Sequence, residues 1–220
     1  MALLSSPHLH TASLQMQRLL SWLGEQPFLR RFYLAGGTAL ALQIGHRRSM
    51  DLDFFSEVDE VHSQSRQEII STLSGREHQV IESADGNLLL LMDKFRVGFY
   101  SYGYSLLEPP LEFNNIRLAS LLDLGLMKLD ALIGRGSRKD FYDLYLICLK
   151  IPLTDLFSAG ERKYPQVRDF ALLAVESLVR FENADQDFQP EMLIDLPWES
   201  VKQFFFGQAK ELGKHWFFAK

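Results

Sequence analysis

The 220-residue chain has a single cysteine, Cys148, so no disulfide can form within it, which suits a reducing compartment. It has no basic, then apolar, then small-residue pattern at the N-terminus, so no secretory signal peptide is expected. No apolar run reaches the roughly 18–20 residues of a membrane span. Its charge is −5 at neutral pH, which argues against a protein that coats nucleic acid through overall charge; any such partner must meet a local basic patch. The histidines at 8, 10, 46, 62, 78 and 215 show no zinc spacing. Neither an internal repeat nor a low-complexity segment is present. A cytoplasmic, soluble protein with no membrane association is the expectation. With 47% hydrophobic and 23% charged residues, the composition is that of an ordinary globular chain.

Periodicity predicts a helix over Leu14–Leu23, a strand over Phe32–Ala35, a turn at Gly36-Gly37 and a helix over Thr38–Ile44 capped by Gly45. Strands are predicted at Leu52–Phe55, His78–Ser83, Leu88–Met92 and Phe95–Tyr102, and a surface helix at Ser63–Ser74. Beyond Ile116 the pattern turns helical. Leu118, Leu121, Leu122, Gly125, Leu129, Leu132 and Ile133 share a stripe, with Asp123 and Asp130 opposite. Further helices are predicted from Lys139 to Lys150, Phe170 to Val179 and Trp198 to Leu212. The fold class is α+β (mixed α/β), with a core over residues 1–115 and a C-terminal helical part over 116–220. The apolar clusters Phe204-Phe205-Phe206 and Trp216-Phe217-Phe218 are expected to pack in a core.

Two features carry chemistry. Asp51 and Asp53 alternate with Leu52 and Phe54, so in a strand both carboxylates share one face. Two carboxylates side by side repel unless a cation lies between them, and Mg²⁺ takes one or two carboxylates plus phosphate oxygens and water. The competing reading is that they cap a turn or pair with Arg47 and Arg48. Gly36 and Gly37 lie between a strand and a helix, where unsatisfied N–H groups favour an anion and Thr38 adds a hydroxyl. The competing reading there is a tight turn with no ligand. If the Asp51/Asp53 strand lies beside Phe32–Ala35, the carboxylates face the glycines.

Together, Gly36-Gly37-Thr38-Ala39-Leu40-Ala41-Leu42 and Gly45-His46-Arg47-Arg48-Ser49-Met50-Asp51-Leu52-Asp53-Phe54-Phe55-Ser56 resemble the nucleotidyltransferase AbiEii/AbiGii toxin family, of the DNA polymerase beta-like nucleotidyltransferase superfamily. The segment Lys128-Leu129-Asp130-Ala131-Leu132-Ile133-Gly134-Arg135-Gly136-Ser137-Arg138-Lys139-Asp140-Phe141-Tyr142-Asp143-Leu144 is similar to that family's second signature: a lysine on one helix, a basic turn, then an acid-bearing helix. The resemblance spans roughly residues 30–150.

It implies a polymerase beta-like core and a C-terminal helical bundle. It implies a metal at Asp51 and Asp53, a nucleotide seat from Gly36, Gly37, Thr38, Arg47 and Ser49, and a phosphate-neutralising Lys128 with Arg135 or Arg138. It also implies that Asp140 or Asp143 enters the active cleft. Read without it, Lys128 snorkels to solvent, Arg135 and Arg138 form a solvated loop, Asp143 pairs with Lys139, and His46 is a loop residue.

The implied activity is Mg²⁺-dependent transfer of a nucleoside monophosphate from a nucleoside triphosphate to an acceptor hydroxyl. The implied setting is a bacterial toxin–antitoxin or abortive-infection system, with an RNA such as tRNA as acceptor and a cognate antitoxin as partner. One element of the superfamily pattern is missing. A third carboxylate belongs on the Phe95–Tyr102 strand, which carries no acid. That leaves open a nucleotide-binding module without turnover, and, on the side of catalysis, a small-molecule acceptor such as an aminoglycoside.

Overall fold

The computed structural model describes residues 2–214; His215, Trp216, Phe217 and Phe218 lie outside them. In chain order the regular elements begin with β1 (Ala2–Leu3), α1 (Leu14–Gly24), β2 (Tyr33–Ala35), α2 (Gly36–Ile44), β3 (Asp51–Ser56) and α3 (Ser63–Thr72). Next come β4 (His78–Ala84), β5 (Asn87–Met92), β6 (Phe95–Ser101), β7 (Leu111–Phe113) and β8 (Ile116–Leu118). The helices α4 (Leu121–Gly134), α5 (Arg138–Cys148), α6 (Leu153–Lys163), α7 (Phe170–Ser177), α8 (Glu182–Gln186) and α9 (Trp198–Gly213) follow. The class is mixed α/β. Among the described residues, no helix is long and apolar enough to cross a membrane.

The chain divides into Met1–Ser120 and Leu121–Lys220. The break read from the sequence, at 115/116, falls just before β8. That strand pairs with β7 and β2, so hydrogen bonding keeps it in the first unit, and the helix expected to follow Ile116 starts only at Leu121.

The first unit is built on one eight-stranded mixed sheet, in the order β1-β7-β8-β2-β3-β6-β5-β4. At its centre β3 runs antiparallel to β2 and parallel to β6. Alternation along β3 buries Leu52, Phe54 and Ser56 and leaves Asp51, Asp53 and Phe55 half-buried. On the buried face, the rings of Phe28, Phe32 and Phe54 all meet Phe99, with centroids 5.4–5.6 Å apart. Helix α1 starts at Ser13, whose hydroxyl accepts from the Met16 N–H at 3.2 Å, and it buries Met16, Leu19, Leu20 and Leu23. Helix α2 ends at Gly45 in the left-handed conformation (φ +79°), with the Gly45 N–H donating to the Ala41 carbonyl.

The second unit is helical. Phe141, Phe181, Trp198 and Phe205 pack as an aromatic cluster around α5. Phe205 is buried and Phe206 is 56% exposed, so the expectation of core packing divides within that triplet. Asp123, placed by the sequence pattern opposite the apolar stripe, is fully buried because Lys163 Nζ reaches its Oδ1 at 2.7 Å. A charge matched in this way enters a core without the cost of an unpaired ion. Burial pushes the Cys148 thiol up to about 12, which leaves it protonated and unreactive at neutral pH.

Candidate active site

The expected turn at Gly36-Gly37 is the first turn of α2 itself. Gly36 has φ +64°, a conformation that costs other residues energy, and it lies directly after β2. Register places Ala35 opposite Asp53, so β2 delivers the glycines to the strand that carries the carboxylates. A Cβ built on Gly36 would lie 2.5 Å from Asp53 Oδ2. One built on Gly37 would collide with the Arg47 guanidinium and come within 3.1 Å of Ser49 Oγ. Five expected residues, Gly36, Gly37, Arg47, Ser49 and Asp53, therefore meet at one helix N-terminus. Asp51 lies two residues back on the same face as Asp53.

Helix α2 has no side-chain N-cap, since the capping position is Ala35. Its first N–H groups point from a helix end that favours anions, with a cation and a hydroxyl beside them. Arg47 is buried, and its Nη1 donates to the Arg48 carbonyl at 3.0 Å, which fixes the guanidinium.

Thr38 departs from its expected role. It is buried, and its hydroxyl donates to the Asp51 backbone carbonyl. A threonine has one O–H to give. Spent on Asp51, it cannot also be donated to a phosphate. Thr38 instead ties the start of α2 to the start of β3 and so sets the carboxylates against the glycines. His46 lies in the loop between α2 and β3, as the plain reading has it, and is buried there.

The neighbouring strand holds residues that the sequence alone did not single out. In the β3/β6 register Asp51 pairs with Arg96, Asp53 with Gly98 and Phe55 with Tyr100. Arg96, Gly98 and Tyr100 thus share the carboxylate face. Arg96 is exposed. Gly98 stands where a third carboxylate would face Asp53. The Tyr100 ring lies back over it, so that a Cβ on Gly98 would fall among the terminal ring atoms. Burial first, then the negative charge of Asp53, push the Tyr100 phenol up to about 12. The signal in the sequence was the spacing Gly98-x-Tyr100 in a strand, legible only once the register is known. Among the described residues no group of three His, Cys, Asp or Glu side chains converges to hold a metal, so Asp51 and Asp53 stand as a pair.

The remaining expected residues lie in the second unit. Lys128 neither snorkels nor stands open. It is buried on α4, with Nζ 2.8 Å from Asp140 Oδ1 and 2.6 Å from Asp143 Oδ2, both on α5. Arg135 adds bonds of 2.9 and 3.0 Å to Asp140, and the Ser137 hydroxyl donates to it at 2.6 Å. Asp140 therefore accepts four hydrogen bonds, about the capacity of a carboxylate. It is a saturated anion with no acceptor capacity left for a ligand, so of the two acids expected in the active cleft Asp140 serves the packing of α4 on α5 instead. Burial alone would raise its pKa, but the charges and hydrogen bonds of Lys128 and Arg135 outweigh it and hold the carboxyl well below the usual range.

Asp143 pairs with Lys128 where a local pair with Lys139 was the alternative. Arg138 is corrected too. Its guanidinium donates to the Ala184 and Asp185 carbonyls at 2.7 and 3.0 Å and lies 5.3 Å from the centre of the Trp198 ring, so it joins α5 to α8 and α9. Arg135 keeps 61% of its side chain exposed.

A protein of Aquifex aeolicus (strain VF5), the uncharacterized aq_aa25, is 40% identical over 187 residues, covering 82% of this chain and 87% of that one. Two solved structures are similar in outline. JHP933 of Helicobacter pylori is 15% identical, with 91% of this chain and 90% of that chain covered and a TM-score of 0.48. ANT(2″)-Ia, in complex with adenylyl-2″-tobramycin, is 13% identical, with 70% and 99% covered and a TM-score of 0.47. The model of one family, described as nucleotidyl transferase AbiEii toxin, type IV toxin–antitoxin system, matches residues 18–216, and the chain belongs to that family.

Proposed function

We propose that the protein transfers a nucleoside monophosphate from a nucleoside triphosphate to an acceptor hydroxyl, with the first unit carrying the nucleotide. One observation carries this reading: an uncapped helix N-terminus, a fixed arginine and a carboxylate pair converge on two adjacent glycines, where an added Cβ would meet the Asp53 carboxylate or the Arg47 guanidinium. The donor set suits Mg²⁺, because two half-buried carboxylates on one strand face supply part of an oxygen shell that phosphate and water complete. Held by Asp51 and Asp53, Mg²⁺ would supply charge neutralisation on the triphosphate and orientation of the reacting oxygens.

The chain's own groups do the rest. The α2 N–H groups, Arg47 and Ser49 bind phosphate oxygens, and Thr38 keeps Asp51 in register with them. The acceptor oxygen forms a bond to the α-phosphorus, the bond from that phosphorus to the bridging oxygen breaks, pyrophosphate leaves, and the hydroxyl proton passes to solvent water. We assign Lys128, Asp140 and Asp143 to holding the frame of the second unit, and exposed Arg135 to the phosphate backbone of an RNA acceptor. The family description supports reading the protein as a toxin with a cognate antitoxin. A local cation on an acidic chain suits a limited RNA contact such as the end of a tRNA.

Incubating the protein with Mg²⁺, each α-labelled nucleoside triphosphate and total RNA tests the reading. Label should enter RNA, and should not with Asp51→Ala plus Asp53→Ala. Absence of transfer, or transfer that the double variant retains, would refute it. Gly98 in place of an acid beside Asp53 favours one second reading, a nucleotide-binding module without turnover. Binding by calorimetry with no product would select it.

A further inference from the structure

On the carboxylate face the proposed reaction leaves two polar side chains unused, exposed Arg96 and half-buried Tyr100, and Tyr100 is the one aligned beside Asp53. Three observations fix where its hydroxyl sits. The register places Tyr100 two residues beyond Gly98, the partner of Asp53. The ring folds back along the strand, so that its hydroxyl end occupies the space over Gly98 that a Cβ would take. The ring is held there by Phe55, with centroids 5.2 Å apart and planes tilted by 33°. The phenol therefore fills the place where a third carboxylate would stand. Among the described residues its hydroxyl makes no hydrogen bond, although Asp53 is on the adjacent strand. A half-buried phenol O–H ordinarily finds an acceptor.

We propose that Tyr100 is a substrate-binding residue, whose hydroxyl, held over Gly98 beside Asp53, donates a hydrogen bond to a phosphoryl oxygen of the nucleotide carried at Asp51 and Asp53. The inference rests on the nucleotide site proposed above. The acceptor follows from charge. A phenol is neutral at physiological pH and has one proton to donate, and an anionic phosphoryl oxygen is the strongest acceptor that such a nucleotide brings to this face. The station beside Asp53 thus acts on the substrate as a donor, where an acid would have acted on a cation. Gly98 is part of the same device, since any larger residue evicts the ring.

The test is calorimetric titration of the whole protein with Mg²⁺ and the α,β-methylene analogues of the four nucleoside triphosphates. Tyr100→Phe keeps the ring and removes only the O–H. It should bind the preferred analogue about 10-fold more weakly or worse, the scale of a hydrogen bond to a charged group. Its melting temperature, and its affinity for Mn²⁺ alone followed by electron paramagnetic resonance, should match wild type. Gly98→Ala, which displaces the ring, should lose a similar factor. The double variant should lose no more than either single one, because both remove the same contact.

Wild-type affinity in Tyr100→Phe, a lowered melting temperature alongside its lost affinity, or additive losses in the double variant would overturn the proposal while leaving the nucleotide site intact. Absence of any nucleotide binding by the wild type would instead bring down the site, and this proposal with it.

Discussion

Gly36 and Gly37 are adjacent, yet alanine at each should do different damage. At Gly36 the backbone is left-handed, which costs an L-residue about 1–2 kcal/mol. The added methyl also meets Asp53 Oδ2 at 2.5 Å. For a chain of this size each kcal/mol lowers the melting temperature by about 2–4 °C, so Gly36→Ala should melt about 2–8 °C below wild type before any cost from the carboxylate is added. At Gly37 the backbone is not left-handed, and the methyl meets the end of the Arg47 side chain. A guanidinium can shift more cheaply than a backbone. Gly37→Ala should therefore keep most of its melting temperature and lose phosphate binding by about tenfold, the worth of one charge-assisted hydrogen bond. Differential scanning calorimetry measures the first quantity, and titration with a Mg²⁺–nucleotide analogue the second. If Gly36→Ala melts with wild type, the left-handed conformation is not what requires glycine there. If Gly37→Ala binds as wild type does, Arg47 is not part of the nucleotide seat.

Two further outcomes follow from hydrogen bonds described above. Thr38→Val removes the O–H that satisfies the Asp51 carbonyl, so stability to denaturant should fall by about 1–3 kcal/mol, and nucleotide affinity should fall with it as β3 loosens; unchanged affinity would separate Thr38 from the site. The Asp140 carboxyl titrates lower in the folded state than its ordinary value of 3.8, so the stability it contributes is complete above that value and is lost as pH falls through the folded one. Denaturant titrations from pH 5 down to pH 2 should show stability falling below about pH 4, and Asp140→Asn should have a shallower slope there; an equal slope would show that the Lys128–Arg135 network does not hold that charge.

The carboxylate pair and its glycines were legible because both depend on local rules. Period-two alternation in a strand puts Asp51 and Asp53 on one face whatever the tertiary structure, and the β2–β3 pairing then brings Asp53 to Gly36 as the short connection suggested. What was not legible depends on distant partners. Arg138 reads as a loop cation, but its acceptors lie on α8, 46 and 47 residues further on. The apolar stripe around Lys128 cannot separate a snorkelling lysine from a buried one, because that depends on whether a carboxylate lies opposite, and Asp140 and Asp143 do. β1 and β7 are two and three residues long, too short for a periodic pattern to announce. Gly98 and Tyr100 carried no motif, and their relation to Asp53 exists only through the register of two parallel strands 45 residues apart.

Five of the aspartates separate into two kinds, and the separation says more than their number. Asp123, Asp140 and Asp143 are fully buried, each within 2.8 Å of a lysine ammonium. Removing one partner of such a pair leaves a buried charge, at a cost of about 3–5 kcal/mol, so these acids are committed to the fold. Asp51 and Asp53 are only half-buried, and they repel one another across a single intervening residue. A fold gains nothing from that repulsion, and replacing either acid with asparagine would relieve it. If the pair exists for a cation, Asp51→Asn and Asp53→Asn should each raise the melting temperature in the absence of divalent metal and abolish the rise that Mg²⁺ gives the wild type. If instead they cap a turn or pair with Arg47 and Arg48, each substitution should lower the melting temperature with or without Mg²⁺. The sign of the change in metal-free buffer decides between the two without any assay of transfer.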